Sequence, residues 1–155
     1  MVQPLKISLD YHGVIDKDIG YWREFCYIAK KHHHKIYIIS GGPLVLIRQK
    51  LSQHNIEYDT LWCVLDYCLA ISAVKMNNKG HFSIDDNLWN IVKGQFCRRG
   101  HINLHIDDSA IYQKYFTTPY CLYDKASCSC IVANKKINLS YPQQFLEQIE
   151  QITPY

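Results

Sequence analysis

A chain of 155 residues fits one domain, since domains run about 100–200 residues, and leaves no room for a second full module. With 48% hydrophobic, 13% aromatic and 20% charged residues, the composition excludes wholesale disorder. A net charge of +3 is too weak a field to point to nucleic acid. Seven cysteines, an odd count in a chain with ample core and no export signal between Met1 and Asp10, fit the reduced thiols of a soluble cytoplasmic protein better than a disulfide framework. No window approaches the roughly 18 uninterrupted apolar residues of a membrane span.

Leu5 to Leu9 is a short, mostly apolar run that stops at Asp10 and Gly13, the pattern of a buried strand ending in a loop. From Asp18 the spacing changes: Trp22, Phe25, Cys26 and Ala29 share one face of a helix running toward Lys31. Lys35 to Ser40 is a second apolar strand, and Ser40-Gly41-Gly42-Pro43 leads into a helix that carries Leu44, Ile47 and Leu51. Leu61 to Leu65 is expected as a third strand, closed by Asp66. Val74 to Ile84 reads as a hairpin around Asn77-Asn78-Lys79-Gly80. Asp85 then caps a helix bearing Trp89, Val92 and Phe96, with Lys93 beside them and Gly100 as its stop. Ile102 to Ile106 is the next strand, breaking at Asp107-Asp108-Ser109. A short helix over Ala110 to Phe116 and a strand over Tyr120 to Tyr123 follow. Ile131 to Leu139 fits one more strand or a hairpin around Asn134-Lys135-Lys136, and Gln143 to Ile152 a final helix.

Alternating strands and helices imply a three-layer α/β domain over 1–155, with a parallel Rossmann-like sheet covered on both faces and a small hairpin insertion at about 73–85. Ligands in such sheets bind beyond the carboxyl ends of the strands. Asp10, Ser40, Asp66 and Asp107-Asp108 all fall where a strand ends, which places them on one edge.

The apolar strand followed by Asp10-Tyr11-His12-Gly13-Val14-Ile15 resembles the opening motif of the haloacid dehalogenase superfamily, a group of Rossmann-like phosphatases and related hydrolases. Ser40 closing the second strand, Lys93 in a helix 15 residues before Asp108, and Asp107-Asp108 closing a later strand continue the resemblance across Ile7 to Tyr123. It implies a Mg²⁺-dependent phosphatase acting on a phosphate monoester. Asp10 would be the nucleophile that forms an aspartyl-phosphate, and also a metal ligand. The His12 backbone carbonyl and Asp108 would complete the protein's share of the coordination, with Asp107 in or behind it. Ser40 and the Gly41 N–H would hold phosphate oxygens, and Lys93 would neutralise charge. The chemistry is consistent: a carboxylate approaches an anionic phosphoryl group only when positive charge offsets the repulsion.

This chain carries His12 where the family's phosphatases carry a second Asp that protonates the leaving group. An imidazole titrates near neutrality and can replace that acid if it reaches the leaving oxygen. If it does not reach, the chain is a weak or inactive relative that binds a phosphorylated ligand or a protein partner. The spans Gly13 to Lys35 and Leu51 to Asp85 hold no full cap domain, so the resemblance implies an open site. Such a site serves a bulky substrate or one whose pocket a second copy of the chain completes. The type of phosphorylated substrate is not legible.

Blander readings stand beside these. Asp85-Asp86 begins a helix and suits capping, and Asp66 fits a turn. Lys30 to Lys35, with His32, His33 and His34, reads as a solvated helix end. Cys121, Cys128 and Cys130 lack the second spaced pair of a zinc site, and Cys26, Cys63, Cys68 and Cys97 sit among apolar neighbours as small hydrophobes. The tyrosines between Tyr112 and Tyr123 read as packing.

Overall fold

The computed structural model describes residues 3–127 and 129–153. β1 (Lys6–Leu9) leads through a 3-10 turn at Ile15–Lys17 into α1 (Ile19–Lys31), then β2 (Lys35–Ser40), α2 (Leu44–Gln53), β3 (Thr60–Cys63) and α3 (Val64–Ala70). A short hairpin, β4 (Lys75–Met76) with β5 (Phe82–Ser83), precedes α4 (Asp86–Arg99), β6 (Leu104–Asp107), α5 (Ala110–Gln113) and β7 (Tyr120–Asp124). β8 (Ser129–Val132), β9 (Lys135–Asn138) and α6 (Pro142–Ile152) complete the chain's elements.

Seven strands form one sheet in the order β3-β2-β1-β6-β7-β8-β9. The strands from β3 to β7 run parallel, while β8 and β9 are antiparallel additions at one edge. The chain therefore moves outward from β1 through β2 to β3, then returns to lay β6 against the other side of β1. That reversal opens a crevice at the carboxyl ends of β1 and β6, the place where open α/β sheets bind ligands.

Side chains alternate across a strand with a period of two, and the two faces of this sheet receive different chemistry. Ile7 and Leu9, Ile36 and Ile38, Leu104 and Ile106, and Cys121 and Tyr123 all join one core with α1, α2 and α6. Trp22 sits at its centre, edge-on to Phe25 and Tyr123 at centroid distances of 5.4 Å; truncating such a ring costs about 3–5 kcal/mol. On the opposite face Tyr37 and Ile39 pack with Phe96 and Cys97 of α4. That face also carries the buried polar residues Ser8 and His105.

Asp85 caps α4 as expected, accepting from the Leu88 N–H at 3.1 Å, and Asp18 caps α1 in the same way, accepting from the Tyr21 N–H at 3.2 Å; both satisfy N–H groups that a helix start leaves without partners. The insertion is a hairpin, its turn closed by the Gly80 N–H donating to the Asn77 carbonyl at 3.0 Å.

Three details differ from expectation. β3 stops at Cys63 rather than Leu65, because Val64 and Cys68, one helical turn apart, bury together beside Val92 and start α3 early. Asp66 therefore lies in the first turn of α3 and accepts from the Leu44 N–H at 2.8 Å, a cap on α2 and not a strand end. The sheet is not wholly parallel: Ala133 and Asn134, both at positive φ (48° and 63°), form the two-residue turn that folds β8 back onto β9. Among the described residues no helix is long and apolar enough to cross a membrane. Cys128 lies outside the described residues.

Candidate functional site

Register alone brings the acidic strand ends together. Leu9 pairs with Ile106, and the Asp10 N–H extends the ladder by donating to the Ile106 carbonyl at 2.9 Å. Ser8 and Asp10 then share a face with His105 and Asp107, since each pair is two residues apart. Two strand residues span about 6.7 Å and four helical residues rise about 6 Å, so the i, i+4 pair Lys93 and Cys97 of α4 lies over these positions in step. Lys93 stands over Asp10 and Asp107, and Cys97 over Ser8.

The contacts follow from that match. Lys93 Nζ lies 3.2 Å from Asp10 Oδ2 and donates to Asp107 Oδ2 at 3.0 Å. His105 Nε2 lies 3.0 Å from the same Asp107 oxygen, and His105 Nδ1 lies 2.7 Å from Ser8 Oγ. Asp107 accepts only, so Nε2 carries the ring proton; Nδ1 then accepts from the Ser8 hydroxyl. The Ser109 N–H donates to Asp107 Oδ1 at 3.1 Å. Phe116 stacks on the His105 ring at 4.8 Å and Tyr120 meets its edge. Asp10, Lys93, His105 and Asp107 are all at most 5% exposed.

Two buried carboxylates share one ammonium, so they cannot hold their charges equally well. Burial penalises both. Asp107 is compensated by the His105 hydrogen bond and by Lys93, which hold its carboxyl well below the usual range. Asp10 is left with the deficit: burial, partly offset by Lys93 but reinforced by Asp107, pushes its carboxyl up to about 7. Burial opposes the Lys93 charge as well, yet Asp10 and Asp107 outweigh it and raise that group above its ordinary value. Burial lowers the His105 pKa against the pull of Asp107 and keeps the ring neutral.

Asp10 Oδ1 and Ser40 Oγ are buried polar atoms that find no hydrogen-bond partner among the described residues. Ser40 nevertheless lies near enough to Asp10 to lower its pKa slightly. Asp10, Asp107 and Asp108 each bring a carboxylate oxygen into one group whose atoms lie within 4.8 Å of one another. Asp107 has donors on both oxygens, whereas Asp10 keeps one unpartnered, so Asp10 and the more exposed Asp108 are the better placed pair to hold a cation. An all-oxygen set suits a hard divalent ion such as Mg²⁺. Burial around the carboxyl and the nearby Asp107 charge raise the Asp108 pKa, and a cation would reverse both effects.

The Asp108 carboxylate occupies the space beside Gly13, which has a φ of +85°; a Cβ there would fall 2.1 Å from Asp108 Oδ2. Only glycine meets both requirements. The loop is braced by Asp16, whose carboxylate accepts from the Gly13 N–H at 2.7 Å and lies 3.5 Å from His12 Nδ1. A cleft of about 520 Å³ opens over these groups, with Asp10, His12, Gly13, Gly41, Lys93 and Asp108 in its lining. His12 stands at its rim with half of its side chain exposed. Gly41 lines the cleft, while Ser40 lies beneath it, fully buried.

The structure thus gathers Asp10, His12, Gly41, Lys93 and Asp108 at one cleft with Asp107 and Ser40 buried behind it, and leaves Asp66 outside as a cap. Sequence reasoning missed Ser8, His105 and Asp16. Ser8 and His105 are single polar residues inside apolar strands, and Asp16 lies in the turn that follows β1, so none breaks the sequence pattern.

The histidine-rich stretch is not simply solvated. His34 is 1% exposed; its Nδ1 accepts from the Leu5 N–H at 3.0 Å, and its Nε2 lies 2.7 Å from Glu150 Oε1, which His32 Nδ1 also approaches at 3.0 Å. His32, His34 and Glu150 are close enough to surround an ion. However, with Nδ1 accepting, Nε2 carries the proton and has no lone pair for a metal. This group is a latch between the start of β2 and α6. Searches find no protein-family model that matches this chain, no curated protein and no solved structure similar to it.

Proposed function

We propose that the chain is a Mg²⁺-dependent hydrolase of the haloacid dehalogenase superfamily that cleaves a phosphate monoester through an aspartyl-phosphate on Asp10. One observation carries the reading: Asp10 is a buried carboxylate with one oxygen on Lys93 and the other unpartnered, facing a cleft where the sheet order reverses. A purely structural Asp at that depth would have both oxygens satisfied.

Asp10, Asp108 and the His12 backbone carbonyl would hold the cation, which lowers the charge repulsion between carboxylate and phosphoryl group. Asp10 attacks phosphorus; an O–P bond forms to its carboxylate as the bond to the alcohol oxygen breaks. Lys93 stays charged between Asp10 and Asp107 and offsets negative charge on the transferring group. Ser40 and the turn at Gly41 steady phosphate oxygens. His12 gives a proton to the departing alcohol, then takes one from the water that cleaves the acyl phosphate, and inorganic phosphate leaves.

A second reading rests on His12 itself. Its ring is tied toward Asp16 and stands at the rim, which suits a relative that binds a phosphorylated ligand without turning it over. Turnover of a panel of phosphate esters, with and without Mg²⁺, separates the two. Hydrolysis that requires Mg²⁺ and is lost in Asp10→Asn sustains the enzyme. No hydrolysis of any ester overturns it. Within the enzyme reading, His12→Ala should slow turnover by about 10²-fold or more, the scale of a lost general acid, and His12→Asp should restore part of it.

A further inference from the structure

Beside the reaction cleft lies a second one of different chemistry. It has a volume of about 350 Å³ and is lined by Leu65, Phe82, Ser83, Ile84, Asp86 and Trp89. Trp89 lines both clefts, and its position is fixed from several sides. Its Nε1 donates to the Tyr112 hydroxyl at 3.0 Å, its ring packs against the small core cluster that Val64, Cys68 and Val92 form, and its edge lies 3.2 Å from where a Cβ on Gly41 would stand. The indole is therefore a rigid partition, with the turn at Gly41 against its edge and an apolar recess on the far side.

Phe82 reaches this recess from the β4–β5 hairpin. It is 62% exposed and its cross-strand partner Met76 is 65% exposed, so neither contributes to the core. Single exposed apolar residues are ordinary, but here the exposed ring borders a cleft contiguous with the reaction site. Aromatic side chains give large contact area for little lost rotamer freedom and favour ring partners 4.5–7 Å away. Asp86 in the lining, with Asp85 next to it, repels a second anionic group.

We infer that the substrate is a phosphomonoester whose alcohol carries an uncharged aromatic ring, seated between Phe82 and Trp89 while its phosphate lies over Asp10. The inference rests on the hydrolase reading for the phosphate half; the ring seat stands on the second cleft. A phosphomonoester of this class has the same two halves as the paired clefts, one anionic and one apolar. Sugar bisphosphates and other doubly anionic substrates fit the recess poorly.

The test compares 2-phenylethyl phosphate with ethyl phosphate, esters of primary alcohols that differ in the ring and not in leaving-group chemistry. With Mg²⁺ present, kcat/KM is expected to favour the 2-phenylethyl ester by at least about tenfold, the scale on which apolar pockets discriminate. In Phe82→Ser that ratio should fall to about three or less. Phe82 is mostly exposed, so the variant should fold, which circular dichroism checks. Equal kcat/KM for the two esters in the wild type, or a preference that survives Phe82→Ser, overturns the ring seat and leaves the hydrolase standing. If neither ester is hydrolysed, the ester panel decides the hydrolase reading, and calorimetry with 2-phenylethylphosphonate and ethylphosphonate judges the seat alone. Binding at least tenfold tighter with the ring, lost in Phe82→Ser, sustains it; equal binding, or none, overturns it.

Discussion

Replacing Asp10 by Asn removes a buried charge while keeping shape, and the response should depend on pH in a specific way. The folded protein holds the Asp10 proton up to about pH 7, against an ordinary value of 3.8. Between those limits the folded state binds more protons than the unfolded state, so Asp10 makes stability fall as pH rises through that window. The span is about 3 pH units, which at ~1.36 kcal/mol each gives a cost of order 4 kcal/mol at pH 8 relative to pH 3. Asn pays no such cost. In urea titrations with chelator from pH 3.5 to 8, wild type and Asp10→Asn should be near equal in acid and diverge from pH 4 to 7. The variant should become the more stable by about 2–4 kcal/mol. Mg²⁺ should narrow the gap by stabilising only the wild type, by about 1.4 kcal/mol at ten times its Kd. A difference between the two proteins that does not change with pH would refute the assignment of the charge deficit to Asp10.

Other outcomes follow from the same contacts. Gly13→Ala puts a Cβ 2.1 Å from Asp108 Oδ2 at a φ of +85°; it should cost about 1 kcal/mol or more and weaken Mg²⁺ binding by at least about tenfold, read by calorimetry. Lys93→Ala leaves Asp10 and Asp107 facing each other without their cation and should destabilise the protein by about 3–5 kcal/mol at neutral pH. The loss should grow as pH rises through about 7, where Asp10 ionises in the wild type but, without Lys93, keeps its proton in the variant; a loss that stays constant from pH 6 to 9 would argue against charge as the cause. Burial works to raise the Glu150 pKa, but hydrogen bonds from His34 and His32 outweigh it and lower it below the ordinary 4.5. Its contribution is thus present above that value and disappears as pH falls through the lower folded value. Glu150→Gln should be less stable than wild type at pH 6, with the gap in Tm closing in acid.

The strand ends were legible because buried parallel strands read as continuous apolar runs, and an acid or hydroxyl that stops such a run marks the sheet's carboxyl edge. Asp10, Ser40 and Asp107-Asp108 came from that signal. Lys93 was legible from helical spacing beside Trp89 and Val92. Ser8 and His105 were not, because one polar residue inside a run such as KISL or LHID does not disturb the pattern; their pairing depends on register between distant strands. The β8–β9 turn at Ala133-Asn134 was missed by one residue, since the charged Lys135-Lys136 read as loop although both lie in the edge strand. His34 looked like a helix end, but the chain turns at His33, with a φ of 65°, and carries His34 inward against Leu5 and Glu150.

The division of the sheet into an apolar face and a polar one has a consequence for how this chain tolerates change. The large core on α1, α2 and α6 shares no member with the Ser8–His105–Asp107–Lys93–Asp10 chain on the side of α4. Cohesion and reactivity are thus drawn from separate residues of the same strands, in alternation. Substitutions at 8, 10, 105 and 107 can retune or erase the chemistry while the neighbouring positions 7, 9, 104 and 106 continue to hold the domain together. The scaffold can therefore stay in place while the groups at the crevice change.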